Sequence, residues 1–514
     1  MVRRLIIENR FAVQSIMSVR INEIRGMFPI GTASEEHQLH KKANTDRASF
    51  GRVKHVLRED KHNLLKQLVI SCLTVFIKSF SILRRLRKLF QGEKVHSTEY
   101  AVQQALFTVG TAPTRSKALA SFEENQHLLK DWRILYADEC KTGPFPLRRA
   151  QFSEKGFVST LFSGHSLWVL DHDVISSSNT MMFQVGYGTY IDSNAASFIR
   201  SLAYREEPKE HLLNFCRMLS DSFSFDELSN INPYLYLWEA QRDRTPETVT
   251  GIRETMAALF ALSWIKQPLN AEWGKIYRKL YQQQAEKEAD RFLYQFYQNL
   301  DAGLGKAIED RVDLLEAMLL RTKLIELSSK RSAQNKMNEL VQFMHDELST
   351  MMIRELLVCA DILFREGKSK MSQKLDGLQK KKSPFDVLRN CARDLNMLRS
   401  MDQLTNSIAD NTNSAFYVAN LITFDRDIID IIQLTELRAI ALSRSSSDAF
   451  PIYNRQLDTW LSEKLGKKRL SGLENIFRKD GFDIRSRARS RSNVKTILQE
   501  DRQKLACIIE KINS

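Results

Sequence analysis

Glycine and proline are scarce in this sequence, with 19 and 10 residues respectively in a chain of 514. Both residues interrupt helices, so their scarcity favours a largely helical protein. Cysteine is also sparse: the chain has six, and none has the short paired spacing of a zinc site or a small disulfide framework. We therefore expect free thiols and a reducing compartment.

Long apolar runs are missing as well. The most apolar stretch starts at Leu68 and is interrupted by Lys78 after about ten residues, short of the ~20 that span a bilayer. The first twenty residues lack the apolar run and small-residue cleavage site of a secretory signal. These absences predict a cytoplasmic protein without a transmembrane segment.

Three common active-site motifs are absent from the sequence. It contains no G-x-x-x-x-G-K-S/T phosphate loop, no G-x-G-x-x-G dinucleotide fingerprint and no G-x-S-x-G nucleophile elbow. Nucleotide hydrolysis, dinucleotide chemistry and serine esterase activity therefore have no support in the sequence.

Positive charge, in contrast, is abundant. The formal net charge is +14, and basic residues are concentrated in the first hundred residues and near the C-terminus. Such clusters suit a polyanion, because each phosphate that is neutralised releases condensed cations. A solvated basic surface is the simpler alternative for any one cluster. The clusters that we predict to bind nucleic acid are Arg84, Arg85, Arg87 and Lys88; Lys380, Lys381 and Lys382; and Arg485, Arg487 and Arg489.

The pattern of apolar residues divides the chain into four regions. Several segments between 247 and 366 repeat apolar residues every three or four positions, which predicts bundle helices. Runs of β-branched and aromatic residues at 166–171, 183–191 and 415–424 predict strands of one small sheet. We expect an α/β fold with predominant helix. Its regions are a basic helical leader (1–95), a mixed α/β segment (96–180), a domain with a helical insertion at about 246–385 (181–445) and a basic helical C-terminal region (446–514).

Two predicted strands end in acidic residues. Asp192 follows the strand of FQVGYGTYIDSN, and Thr423 and Asp425 follow the strand of FYVANLITFDRD. In open α/β sheets the ligand site lies at the carboxyl ends of the strands, so acids delivered there by different strands can converge. A divalent cation requires such a convergence, because hard cations prefer carboxylate oxygens. Taken singly, each acid could instead cap the helix that follows it.

The segment YIDSN resembles the opening strand-Asp-x-Asn element of PIN-domain nucleases, and LITFDRDI resembles their late strand-Thr-x-Asp element. The interval between the two is much longer than in a minimal PIN domain. The resemblance therefore implies a small parallel PIN-like sheet that carries a large helical insertion.

The resemblance also implies two further acids. Glu239 in NPYLYLWEAQRD and Asp394 in NCARDLNMLRSMDQL stand in the order that larger PIN-like proteins use. We therefore expect Asp192, Glu239, Asp394 and Asp425 to be catalytic metal ligands. Glu254 is an alternative for the second acid, and Asp386 or Asp402 for the third. Asn194, Thr423 and Asp427 are expected to orient the ligands.

These expectations point to an endonuclease that depends on Mg²⁺ or Mn²⁺. A bound cation lowers the pKa of a water for attack on a phosphodiester. RNA as substrate, a role as a bacterial toxin or defence effector and an inhibitory partner protein follow from the resemblance alone, and the helical insertion could mediate self-association into an oligomer. The alternative hypothesis is a non-enzymatic helical nucleic-acid-binding or scaffold protein.

Overall fold

The computed structural model describes residues 93–153, 155–176, 185–405, 415–446, 448–455, 457–488 and 493–514. Nearly all of the basic leader, the cluster Arg84, Arg85, Arg87 and Lys88, and Arg489 lie outside these ranges. Across the described residues, no helix is both long and apolar enough to cross a membrane.

Ten strands form two five-stranded sheets within the described chain. The strands are β1 (Trp132–Asp138), β2 (Phe145–Pro146), β3 (Ala150–Gln151), β4 (Phe157–Ser159), β5 (Ser166–Asp171), β6 (Val185–Ile191), β7 (Ile231–Asn232), β8 (Phe416–Thr423), β9 (Leu437–Ser443) and β10 (Ala449–Tyr453). The first sheet has the order β10-β9-β1-β5-β2 and is antiparallel. The second has the order β3-β4-β8-β6-β7.

Helices make up most of the remaining described chain. They are α1 (Glu93–Gly110), α2 (Arg115–Glu124), α3 (Gln126–Leu129), α4 (His172–Ser176), α5 (Ser193–Tyr204), α6 (Glu210–Ser222), α7 (Phe225–Ser229), α8 (Tyr234–Ala240), α9 (Pro246–Ala261), α10 (Ala271–Ile276), α11 (Gln282–Asn299), α12 (Gly305–Ser328), α13 (Ala333–Asp346), α14 (Ile353–Leu363), α15 (Lys370–Leu375), α16 (Pro384–Leu404), α17 (Arg426–Leu434), α18 (Leu457–Leu465), α19 (Lys467–Phe477), α20 (Lys479–Ala488) and α21 (Val494–Asn513). The predicted α/β fold with predominant helix is confirmed.

The second sheet is mixed and not wholly parallel. Strand β6 pairs in parallel with β8, from Val185 opposite Phe416 to Ile191 opposite Ile422, and also with β7. Strand β4 then adds to β8 in the antiparallel direction. Nearly every β8 side chain is buried, which is why its sequence is mostly apolar, with Asn420 and Thr423 as its buried polar residues.

The prediction that 166–171 joins this sheet is wrong. These residues form β5, which pairs with β1 in the first sheet. Asp171 is fully buried there and accepts a 2.8 Å bond from Arg133 Nε of β1. Strands from 96–180 and from 437–453 share the first sheet, so the regions drawn from the sequence interleave in the fold.

The predicted helical insertion forms several helices between β7 and β8. Helix α9 begins as its sequence predicts, with Thr245 as the capping residue and Pro246 in the first turn. The segment 333–366 forms two helices, α13 and α14. It breaks between them at Ser349, whose φ of 51° a continuous helix does not allow.

Cysteines in the described ranges are free thiols, as expected. Cys216, Cys359 and Cys391 are buried within helices, whereas Cys140 and Cys507 are exposed.

A buried ion pair joins α14 to α16. Arg354, which is fully buried, donates from Nη1 and Nη2 to the two carboxylate oxygens of Asp402 at 2.7 and 2.9 Å. Asp402 is therefore a structural partner of Arg354 and not a metal ligand, which corrects one of the alternatives left open by the sequence.

Asp402→Ala is expected to destabilise the protein by about 3–5 kcal/mol, because it leaves the Arg354 guanidinium buried without its counter-charge. Denaturant unfolding measures the change. Glu288→Ala is a matched control, since it breaks the Arg291–Glu288 pair on the surface of α11, and its effect should be near zero. Equal losses in the two variants would contradict this account of the pair.

Candidate metal centre

The first acid of the candidate centre lies directly after β6. Asp192 is buried and caps α5, because its Oδ1 accepts a 2.7 Å bond from the Ala195 amide. Its Oδ2 accepts bonds from the Thr423 hydroxyl at 2.6 Å and the Phe424 amide at 3.0 Å. Three donors therefore hold this carboxylate in one orientation.

The second acid lies at the same edge of the sheet, after the neighbouring parallel strand β8. Asp425 caps α17 by accepting a 2.8 Å bond from the Asp427 amide. Its own amide donates to Thr423 Oγ1 at 2.9 Å. Since the same hydroxyl donates to Asp192, Thr423 connects the two strand ends through one side chain.

A group of three carboxylates forms where α16 passes this edge. Asp394, Asp425 and Asp427 each offer one oxygen, and these oxygens lie within 4.8 Å of one another. Burial, followed by the negative charge of Asp425, raises the pKa of Asp394 well above its usual range. The arrangement thus places mutually repelling charges in a partly buried space.

Glu239 lies beside this group. Its Oε2 accepts a 2.5 Å bond from the Ser193 hydroxyl at the start of α5. Burial raises the pKa of Asp192 to about 6, and the charge of Glu239 contributes while hydrogen bonds from Thr423 and Ala195 oppose the rise. Glu239 also acts on the pKa of Asp394, so the four predicted acids share one electrostatic neighbourhood.

Lys374 of α15 is a residue of the centre that sequence reasoning missed. Its Nζ forms an ion pair with Asp427 Oδ2, and its charge also acts on Asp394 and Asp425. The side chain is about half exposed, so the ammonium group reaches both the acids and solvent. It stands in the charge-rich stretch KSKMSQKLDGLQKKK, which offers no signal to separate it from surface lysines.

The structure partly rearranges the predicted roles. Asp394 and Asp425 belong to the group of three carboxylates, and Asp427, expected only to orient ligands, is its third member. Asp192 and Glu239 lie outside that group. Thr423 orients Asp192 as expected, whereas the Asn194 side chain is exposed and makes none of the Asp192 hydrogen bonds.

The other alternative acids lie elsewhere. Glu254 lines a cleft of about 510 Å³ with Arg200 and Tyr204 between α5 and α9. Asp386 lines a different cleft, of about 640 Å³, between α16 and α21. Neither acid belongs to the group of three carboxylates.

The predicted nucleic-acid-binding cations divide into two kinds. Lys380, Lys381, Lys382 and Arg487 are exposed, as a phosphate contact requires. Arg485 is buried, and its guanidinium donates to the carbonyl of Ile476 and contacts His345 Nδ1 at 3.1 Å. Arg485 therefore packs α20 against its neighbours, and its prediction as a surface contact is wrong.

The donor set suits a hard cation. All three converging ligand atoms are carboxylate oxygens, which Mg²⁺ and Mn²⁺ prefer, and within the described part of the chain the group itself includes no thiol or imidazole. Burial of like charges also favours a bound counter-cation. In comparisons with protein-family models, curated proteins and solved structures, this chain has no match.

Asp394→Asn is expected to stabilise the metal-free protein at pH 8 and to abolish stabilisation by Mn²⁺. The raised pKa means that ionised Asp394 destabilises the fold above that pKa, and this penalty vanishes below a pH of about 4, where the carboxyl is protonated in both states. The variant should gain about 2 °C or more in midpoint at pH 8, and progressively less as the pH falls.

Thermal unfolding with and without Mn²⁺ measures both effects, because a ligand of the folded state raises the midpoint. A variant that is less stable at pH 8, or that retains the full Mn²⁺ shift, would contradict the placement of Asp394 among repelling carboxylates.

Lys374→Met should tighten Mn²⁺ binding by roughly three- to ten-fold, because it removes a positive charge that competes for Asp427. Titration calorimetry on the metal-free protein gives the dissociation constant. Lys370→Met, an exposed position on the same helix, is the control and should change it little. Weaker binding in Lys374→Met would show that the lysine does not oppose the cation.

Proposed function

We propose that this protein is an endonuclease of the PIN type, dependent on Mg²⁺ or Mn²⁺, and that RNA is its substrate. The observation that carries the proposal is the convergence of Asp394, Asp425 and Asp427 at the carboxyl end of β8, next to the end of its parallel neighbour β6. The order of three acids along the elements supports the proposal: Asp192 follows β6, Asp394 lies on the helix before β8, and Asp425 follows β8, although Asp192 lies outside the group of three carboxylates.

The neighbouring side chains have supporting tasks in this proposal. Asp394, Asp425 and Asp427 would hold the cation. When bound, it would supply a water of lowered pKa and stabilise charge on the leaving oxygen. Asp192 and Thr423 fix the geometry of the strand ends through their 2.6 Å bond. Glu239, held by Ser193, adds negative charge beside Asp394.

The choice of RNA, the toxin or defence role and an inhibitory partner come from the resemblance. They enter the proposal on that ground alone. The exposed cations Lys380, Lys381 and Lys382 follow α15, the helix of Lys374, and supply positive charge for a polyanionic substrate.

The competing function is nucleic-acid binding without cleavage. Two observations favour it: Asp192 and Asp425 both cap helices, and Lys374 already pairs with Asp427. In that case the acids only stabilise the fold, and replacing them with neutral side chains would leave nucleic-acid binding unchanged.

Asp425→Asn separates the two functions. We expect the variant to lose RNA cleavage by at least about 100-fold, since it removes an oxygen ligand of the cation while leaving the cap geometry available. A fluorescently labelled RNA, with Mn²⁺ added or chelated, reports cleavage, and filter binding reports affinity, which should be unchanged.

Asp221→Asn, an exposed position at the end of α6, is the matched control and should cleave as wild type does. RNA cleavage that does not need a metal ion, or equal cleavage by wild type and Asp425→Asn, would contradict the proposal of a metal-dependent nuclease site at these acids.

A further inference from the structure

Two arginines next to the candidate metal centre converge on a neutral group. Arg242 follows α8, and Arg393 precedes Asp394 on α16. Nη1 of Arg242 lies 3.2 Å from Oδ1 of Asn390, and Nη1 of Arg393 lies 3.4 Å from the same atom. Two like charges therefore meet at one uncharged amide oxygen.

Three acids whose charges act on these arginines form their hydrogen bonds or ion pairs with other residues. Asp243 precedes Thr245, the capping residue of α9, and accepts bonds from the Thr245 amide at 3.0 Å and the Thr248 hydroxyl at 2.9 Å. Glu309 and Glu316 both form ion pairs with Arg389. Over the described residues, neither Arg242 nor Arg393 has an ion pair of its own.

Electrostatics agree with this geometry. Both guanidinium groups carry a positive charge, so they repel each other where they meet at Asn390. The side chain of Arg242 is exposed and that of Arg393 is half-buried. An anion from solvent can therefore reach the pair, and its charge would relieve the repulsion.

The pair lies close to the three carboxylates. Asn390 and Asp394 are four residues apart on α16 and so face the same side, about 6 Å or just over one turn apart along the axis. Arg242 is three residues beyond Glu239, whose charge acts on Asp394. Asn390, Arg393 and Asp394 thus follow one another along α16, and Arg242 joins them from the end of α8.

We infer that Arg242 and Arg393, held together by Asn390, form a phosphate-binding site that takes the nucleic-acid backbone phosphate next to the one at Asp394, Asp425 and Asp427. The inference rests on the proposed function. Guanidinium groups suit phosphate because their N–H donors match its oxygens, and a backbone presents phosphates at regular intervals. A site one turn from the cation would set the position of the strand before cleavage.

Binding of single-stranded oligouridylate to the full chain in chelator tests the inference without any cleavage. Arg242→Ala with Arg393→Ala should weaken binding about ten-fold or more. The slope of log affinity against log salt should also shrink by about 0.7, the value for one phosphate of a single strand. Arg242→Lys should bind the oligouridylate more tightly than Arg242→Ala but less tightly than the wild type, because lysine keeps the positive charge without the paired N–H donors of arginine.

Arg217→Ala is the matched control. Arg217 is an exposed arginine on α6 that contacts an asparagine in the same way, with Nη1 3.0 Å from Asn214 Oδ1, and its removal should change neither affinity nor slope. Thermal unfolding provides a second readout. Removing unneutralised cations should not lower the midpoint, whereas loss of a structural contact would lower it.

Three results would overturn the inference. The first is a double variant with the RNA affinity and salt slope of the wild type. The second is an equal loss of RNA affinity in Arg217→Ala. The third is that inorganic phosphate competes at the arginine pair while the affinity for RNA does not depend on the arginines. Failure of the proposed function is distinct: wild type would then not cleave RNA with Mn²⁺, yet the double variant would still bind it more weakly. The single exposed variant Arg242→Ala keeps the test available if the double variant does not fold.

Discussion

Repulsion between carboxylates is the constraint on which the candidate centre depends. Asp394, Asp425 and Asp427 bring oxygens within 4.8 Å of one another where water is largely excluded from Asp427 and partly from the other two. Ionised carboxylates at such separations destabilise a fold unless a proton, an ammonium group or a metal ion lies between them. The ammonium group of Lys374 offsets part of the repulsion through its ion pair with Asp427. The raised pKa of Asp394 indicates that repulsion remains beside this lysine.

The backbone around the centre explains how these charges are held together. Parallel pairing of β6 with β8 delivers Asp192 and Asp425 to one edge of the sheet, and Thr423 connects them through its hydroxyl group. The capping bonds of both acids fix the directions in which α5 and α17 leave the sheet. Structural and chemical roles therefore coincide in the same side chains, as is common where a site is built on rigid elements.

Several features were predictable from the sequence because they follow from local patterns. The runs of β-branched and aromatic residues at 183–191 and 415–424 predicted two strands of one sheet, and the three-to-four spacing of apolar residues predicted helices between 247 and 366. Asp192, Glu239, Asp394 and Asp425 were expected to be metal ligands; their charges act on one another, but only Asp394 and Asp425 belong to the group of three carboxylates.

Other features depend on distant pairing, which no local pattern encodes. The strand at 166–171 is mostly apolar and buried, as β8 of the second sheet is, and its pairing with β1 places it in the first sheet. Asp394 and Asp402 both lie on α16, and the sequence does not show that Asp402 faces the buried Arg354 of α14. Arg485 and Lys374 both stand in basic stretches, yet one is buried and the other reaches an acidic group, because the helices packed against them differ.

The central claim is that a divalent cation occupies the space between Asp394, Asp425 and Asp427. Anomalous diffraction from crystals of the wild-type protein grown with Mn²⁺ tests it most directly. We predict a manganese peak within coordination distance of all three carboxylates, with Lys374 displaced from Asp427. Well-ordered carboxylates without a peak between them, and Lys374 still paired with Asp427, would contradict the account.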